Sequence, residues 1–209
     1  MNENAPDAEE TSMDLPAIDF QSPGRFVVHN PLPDLTEPTP WEAAPMQLGE
    51  STEAQHFSNP EHARGHALAL IQQVRRSLCL YSPDLEPWLY HHSSIQQACS
   101  RFLLAHPRNR LRILLEDSTR AVKDGHRLLT LARRLTSNVH IRKLNPDYPR
   151  EDGAYLIADK TGLLIRPRSD QCNGHALYND PGAVRLCQTQ FDQAWERSLS
   201  DANLRSFLL

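Results

Sequence analysis

Between Asn59 and Trp195 the hydrophobic period switches repeatedly from helical to extended, and that alternation limits what the chain can fold into. Asn59-Pro60-Glu61 is a helix start: a capping Asn, a Pro at the first helical position and an acid in the first turn. Ala67, Leu68, Leu70, Ile71 and Val74 then recur at helical spacing, which predicts a helix to about Ser77. Leu78 to Ser82 is short, continuously apolar and stopped by Pro83, so it reads as a strand. Trp88 to Tyr90 reads as a further extended piece. Ser93 or Ser94 caps a helix to about Ala105, Arg110 to Leu115 is a strand, and Glu116-Asp117-Ser118 opens a helix to about Leu135. Val139 to Leu144 is the next strand.

Residues 152–167 read as a hairpin, with Tyr155 to Ala158 as one strand and Leu163 to Ile165 as the other. Asp159-Lys160-Thr161-Gly162 supplies the turn chemistry, with Gly162 expected at positive φ. A polar loop from Arg168 to Asn179 leads to Asp180-Pro181, which cap a last helix. The order is helix, strand, helix, strand, helix, then three strands and a helix. It predicts an α/β domain with a mixed, mostly parallel sheet flanked by helices on both faces.

Charge sets the domain boundary. Residues 1–58 hold 11 Asp and Glu against one Arg, a net of −10; residues 59–209 hold 15 acids against 21 Lys and Arg, a net of +6. The first segment also carries the Pro-rich run Pro31 to Pro40, and buries too little apolar surface to offset its ordering entropy. It is expected to be a disordered acidic tail, with the α/β domain over 59–200 and a C-terminal tail over 201–209. Phe20 with Arg25 to Val28, and Trp41 with Met46, are its only apolar islands. The four cysteines form no CxxC; Cys79 and Cys99 sit in apolar patterns and read as buried thiols of a reducing, cytoplasmic protein. No run of about 18 apolar residues calls for a membrane span.

Arg76 to Pro83, Leu111 to Leu115 and Val139 to Arg142, in this element order, resemble one half of a phospholipase D-like domain over about residues 61–198. That family's motif is H-x-K, four residues, then D, followed six residues later by G-S-x-N. Setting Asp159 on the motif's Asp puts Asp152 on its His and Ala154 on its Lys. Arg166, Pro167 and Ser169 then fall on Gly, Ser and Asn. The resemblance implies a fold without the chemistry: the family's His is the phosphoryl-accepting nucleophile and its Lys neutralises phosphate oxygens. An Asp there repels the phosphate, and an Ala supplies no cation. No residue is therefore assigned a catalytic role.

The residues chosen as ligand-binding are Asp152, Arg166, Arg168, His175 and Glu116, around the hairpin and the carboxyl ends of the strands. Arg166 and Arg168 offer forked donors for an anion, against the alternative that they pair with nearby acids. Asp84, Glu116, Asp117 and Asp152 could converge on a divalent cation in an unrecognised, metal-dependent enzyme. Turn and cap roles account for them more simply, and no metal ligand is assigned. His62 and His66, four apart on a helix, read as surface histidines, and adjacent His91 and His92 point their rings apart. Ser82, His175 and Asp152 lack a nucleophile elbow, and no nucleotide-binding glycine motif is present, so no cofactor is expected.

The leading expectation is a non-catalytic binding or regulatory module for a protein partner or a small anionic ligand, with a homodimer left open. The alternative is a nucleic-acid-binding protein. It would use Arg120, Lys123, Arg127, Arg133 and Arg134 on the third helix, with Arg110, Arg112, Arg142 and Lys143 on the neighbouring strands.

Overall fold

The computed structural model describes residues 39–149, 152–201 and 204. Seven strands form one sheet: β1 (Gln55–Phe57), β2 (Ser77–Ser82), β3 (Arg110–Leu115), β4 (Val139–Lys143), β5 (Ala154–Ala158), β6 (Gly162–Arg166) and β7 (Gly174–Leu177), in the order β1-β7-β6-β5-β2-β3-β4. The helices are α1 (Pro60–Gln73), α2 (Pro87–Tyr90), α3 (Ser93–Ala105), α4 (Thr119–Lys123), α5 (Arg127–Arg134) and α6 (Pro181–Glu196). This is a mixed α/β fold of the expected class.

The sheet is less parallel than expected. Only β2, β3 and β4 run parallel to one another; β5 joins β2 antiparallel, and β6, β7 and β1 follow as antiparallel strands. The reason is local. Helical crossovers separate β2, β3 and β4, whereas a tight turn and short loops connect β5, β6 and β7.

Two apolar layers enclose the sheet. Leu78, Leu80, Leu111, Ile113, Leu156 and Leu164 pack beneath α1, α3 and α5. Cys79, Tyr81, Leu114, Tyr155, Ile157 and Leu163 pack beneath Val184, Cys187 and Phe191 of α6. Residues of alternating parity on each strand serve opposite layers, which is why β2 and β5 are apolar at nearly every position. Cys79 and Cys99 are buried free thiols, and burial pushes Cys99 up to about 12.

Several boundaries depart from the sequence reading. The tail does not extend to residue 58. Residues 55–57 pair with β7 as β1, Phe57 is buried, and Trp41, Met46 and Leu48 pack on the core. Polar composition hid this segment, because its few apolar side chains gain a surface only once α1 and α3 are assembled. The disorder expected of residues 1–38, and the island at Phe20 and Arg25 to Val28, lie outside the described residues.

Trp88 to Tyr90 is helical rather than extended. The third helix breaks at Asp124–Gly125 into α4 and α5, and the polar loop contains β7. The domain's last residues are tied in, with Leu199 exchanging backbone hydrogen bonds with Lys143, and in the C-terminal tail Leu204 packs on the core. In the hairpin turn it is Asp159 that takes positive φ, at 55°. Gly162 is required for space instead, since a Cβ there would lie 2.5 Å from Leu48 Cδ1 and 3.0 Å from Leu70 Cδ2.

Asn59 caps α1 as read, accepting the His62 N–H at 2.8 Å. His66, read as a surface residue, is buried against the Tyr178 hydroxyl at 3.0 Å.

Candidate functional site

The mouth of the hairpin lies where β2 and β3 end. Antiparallel pairing sets Ala154 opposite Arg166, and Ser82 follows Tyr81 on the neighbouring strand. Arg166 is one residue beyond Ile165, so its side chain projects into the layer under α1 rather than toward α6. It is buried, at 1% exposure. Its Nη2 meets the Oε1 of Glu86 in an ion pair, and its Nη1 donates to the carbonyls of Ser169 and Gln171 at 3.1 and 2.9 Å. The guanidinium lies 5.2 Å from the Trp88 ring centroid. Gly174 makes room for this arrangement, since a Cβ there would lie 2.9 Å from the Arg166 stem. Burial lowers the Arg166 guanidinium to about 10, with Cys172 and Asp84 opposing, so it stays protonated at neutral pH.

Glu86 is held as tightly. The buried Ser82 hydroxyl donates to its Oε2 at 3.1 Å, and its own N–H donates to Asp84 Oδ1 at 3.0 Å. Leu85 and Glu86 both take left-handed backbone conformations, with φ of 67° and 33°. Such conformations cost on the order of 1–3 kcal/mol each and persist only where the surroundings impose them. Here the Leu85 N–H donates to Ser82 Oγ at 3.1 Å and Pro87 starts α2. His126, fully buried, borders the same loop. Its Nδ1 accepts the Leu128 N–H at 3.2 Å, which leaves the proton of the neutral ring on the buried Nε2. Burial pushes its pKa down to about 3, with nearby His91 adding to the effect.

The residues chosen from sequence are not gathered at one place. Asp152 is exposed at the start of the hairpin, where its carbonyl accepts the Ser169 N–H. Arg168 is exposed and forks onto Asp170 at 3.2 and 2.9 Å. His175 is the register partner of Ile165, so it faces the α6 layer, opposite to Arg166; its ring lies 5.6 Å from that of His56. Glu116 also belongs to the α6 side, where its Oε1 accepts the Tyr81 hydroxyl at 3.1 Å.

The four carboxylates proposed as a cation site are engaged separately. Asp84 pairs with Arg120 at 3.0 Å, Asp117 accepts from Thr119, Glu116 holds Tyr81, and Asp152 stands in the open. No group of three or more His, Cys, Asp or Glu placed to hold a metal ion occurs among the described residues.

Glu86 and His126 carry no signal in the sequence, where Ser82 enters only at a strand end and as a triad candidate and Trp88 only as part of an extended piece. The only local signal was the double proline in Ser82-Pro83-Asp84-Leu85-Glu86-Pro87, which marks a constrained loop but does not say that its Glu is buried. Asp159, the one motif residue retained, has a structural task. Its carboxylate accepts the N–H groups of Arg75 and Arg76, both at 2.8 Å, and of Ser77 at 3.0 Å.

A second feature is a basic strip on the α6 side of β3 and β4. Arg112 pairs with His140 in register, and Leu114 with Arg142. Helix α6 packs chiefly on β5 and β6, and reaches Arg112 and Arg142 of these two strands through Phe191, Asp192 and Trp195. Arg112 binds Asp192 at 2.8 Å and lies over Phe191 and Trp195; Arg142 lies 4.6 Å from the Trp195 centroid. Burial lowers the His140 pKa, and the cations Arg110, Arg142 and Arg112 lower it further.

A family model described as "Domain of unknown function (DUF7931)" matches residues 59–207. The chain belongs to that family. Comparison with curated proteins finds no match to this DUF7931 chain.

Among solved structures it is similar to TrmBL2, an archaeal chromatin protein with a novel mode of DNA binding. There the TM-score is 0.52 at 13% identity, over 71% of this chain and 54% of that one. The DUF7931 chain thus spans about half of TrmBL2. It is also similar to Nuc, a phospholipase D family member from Salmonella typhimurium, with a TM-score of 0.50 at 14% identity over 70% and 96% of the chains. NucT from Helicobacter pylori matches with a TM-score of 0.50 at 10% identity, over 71% and 99%. The fold is phospholipase D-like. No helix among the described residues is long and apolar enough to cross a membrane.

Proposed function

We propose that this chain is a non-catalytic phospholipase D-like module that binds a ligand and does not hydrolyse phosphodiesters. The observation that carries this reading is the buried Arg166–Glu86 pair beside Ala154. Phosphoryl transfer through this fold needs a nucleophilic imidazole and a cation free to meet the phosphate. At the positions the resemblance assigns, Asp152 is an exposed anion and Ala154 a methyl group. Arg166 could have replaced the missing cation, but its charge is met by Glu86 and its Nη1 donates to two carbonyls. A phosphate would have to displace a buried carboxylate to reach it.

Binding in place of hydrolysis is supported by the fold shared with TrmBL2, a DNA-binding chromatin protein. That likeness makes nucleic acid the ligand class of choice. The test is turnover of bis-p-nitrophenyl phosphate and of single- and double-stranded DNA by the purified chain. Rates equal to buffer alone are expected, also for the Asp152→His/Ala154→Lys variant. Turnover by the natural chain that is lost on changing Ser82 or Glu86 would sink the reading.

A further inference from the structure

The strip on β3 and β4 has a pattern that the fold alone does not require. Along Arg110-Leu111-Arg112-Ile113 and Val139-His140-Ile141-Arg142, apolar and basic residues alternate. The apolar set packs under α3 and α5. The other set leaves Arg110, Arg112, His140 and Arg142 on the opposite face, with Leu114 as the apolar exception. A solvated sheet face ordinarily mixes both signs, because like charges on neighbouring strands repel. Here Arg112 and His140 are direct cross-strand partners.

Compensation is thin. Asp192 pairs with Arg112, whereas Arg110 donates to the carbonyls of Pro107 and Asn109 at 2.6 and 2.9 Å. Arg142 donates to the Trp195 carbonyl at 3.3 Å. Neither Arg110 nor Arg142 forms an ion pair among the described residues.

The strip joins two recesses. One, of about 500 Å³, lies between α6 and β2 and is lined by Arg112, Lys160, Arg185, Gln188 and Thr189, with Asp159 and Asp192 as its carboxylates. Asp159 is already committed to three backbone N–H groups. The other, of about 400 Å³, wraps the edge strand β4: Arg133, Thr136, His140, Arg142 and Ser200 line it together with the apolar Ala132, Val139, Ile141 and Leu204. Adjacent strands lie about 4.8 Å apart and alternate residues about 7 Å apart. The cations of β3 and β4, with Lys160 and Arg185 flanking β2, therefore form a track rather than a point site.

We infer that this track, on the sheet face opposite to Arg166, binds the sugar–phosphate backbone of a single nucleic-acid strand. Guanidinium forks suit phosphate oxygens, and spaced cations along a groove suit a chain of evenly spaced anions. An acidic peptide carries its charges on flexible side chains rather than at a fixed backbone spacing, and polyglutamate is the competitor that tells the two apart. The inference rests on the reading that the module binds without hydrolysing, and it supplies the ligand and the surface.

The test is binding of a fluorescent dT20 oligonucleotide to the full chain at 50 and 200 mM salt, with the oligonucleotide length checked after incubation. Engagement of three phosphates at a slope of about −0.7 each predicts a roughly tenfold to twentyfold loss of affinity between the two salts. Arg110→Gln/Arg142→Gln should weaken binding at 50 mM by about tenfold and flatten the salt dependence. Lys160→Gln/Arg185→Gln, exposed at the other end, should weaken it severalfold without touching the sheet. Arg101→Gln, on α3 and thus on the opposite layer, should leave binding unchanged; melting curves confirm that each variant is folded. No binding at 50 mM, equal loss in the Arg101 control, or equal displacement by polyglutamate would overturn the inference. Shortened oligonucleotide with the variant pattern intact would instead overturn the non-catalytic reading and leave the surface standing.

Discussion

Arg166 and Glu86 face each other as a buried ion pair, from strand β6 and from a left-handed loop residue 80 positions earlier. Their side chains are 1% and 4% exposed. Each charge is costly to bury alone, and each is tolerated because the other is present.

Removing one partner should therefore be worse than removing both. Arg166→Met leaves a buried carboxylate and is expected to cost about 3–5 kcal/mol. Adding Glu86→Gln should recover about 2 kcal/mol or more of that loss, read from urea unfolding of the four members of the cycle. Purely additive losses would mean that the pair is not the coupling element.

His126 makes stability depend on pH. Its folded pKa is pushed down to about 3, below the ordinary 6.5, so the unfolded chain binds a proton that the folded chain refuses. Its contribution is fully present above pH 6.5 and is lost as pH falls toward 3. The slope is at most about 1.4 kcal/mol per pH unit within that window. Unfolding measured at pH 7, 6 and 5 should show the decline, and His126→Gln should flatten it.

Asp159 should behave as a clamp on the loop between α1 and β2. Asp159→Ala strands three N–H groups and removes a residue tolerant of positive φ, with an expected cost of about 3 kcal/mol. Asp159→Asn keeps one acceptor oxygen and tolerates the backbone, so its loss should be intermediate. Equal melting temperatures for the two variants would contradict this role.

Residues 39–58 should matter to folding. Trp41 stacks on His92 at 4.1 Å and carries Arg64 above it, while Arg64 Nε donates to the Trp88 carbonyl at 2.8 Å. A chain starting at residue 59 loses the two Trp41 contacts, the β1–β7 pairing and the burial of Phe57, and should be destabilised by about 3 kcal/mol or more. A chain starting at residue 39 keeps them. Equal thermal stability of the two would contradict this.

What the sequence by itself determined is local. The period switches placed most of the helices and the strands of the central sheet, and Asn59-Pro60 and Asp180-Pro181 marked helix starts that the structure keeps. Those signals depend on neighbours within a few residues, and so they survive without an alignment. β1 and β7 escaped because segments of three and four residues are too short to show a period and become strands only when an open edge waits for them. The candidate site was decided by tertiary structure. Arg166 and Arg168 are two residues apart, and nothing local distinguishes them. Yet one is sealed against Glu86 while the other forks onto Asp170 in solvent. Register sends His175 to the face opposite Arg166, and the left-handed loop after β2 carries Glu86 under the hairpin. Long-range pairing settles which charge is buried and which is free, and a linear sequence does not contain those distances.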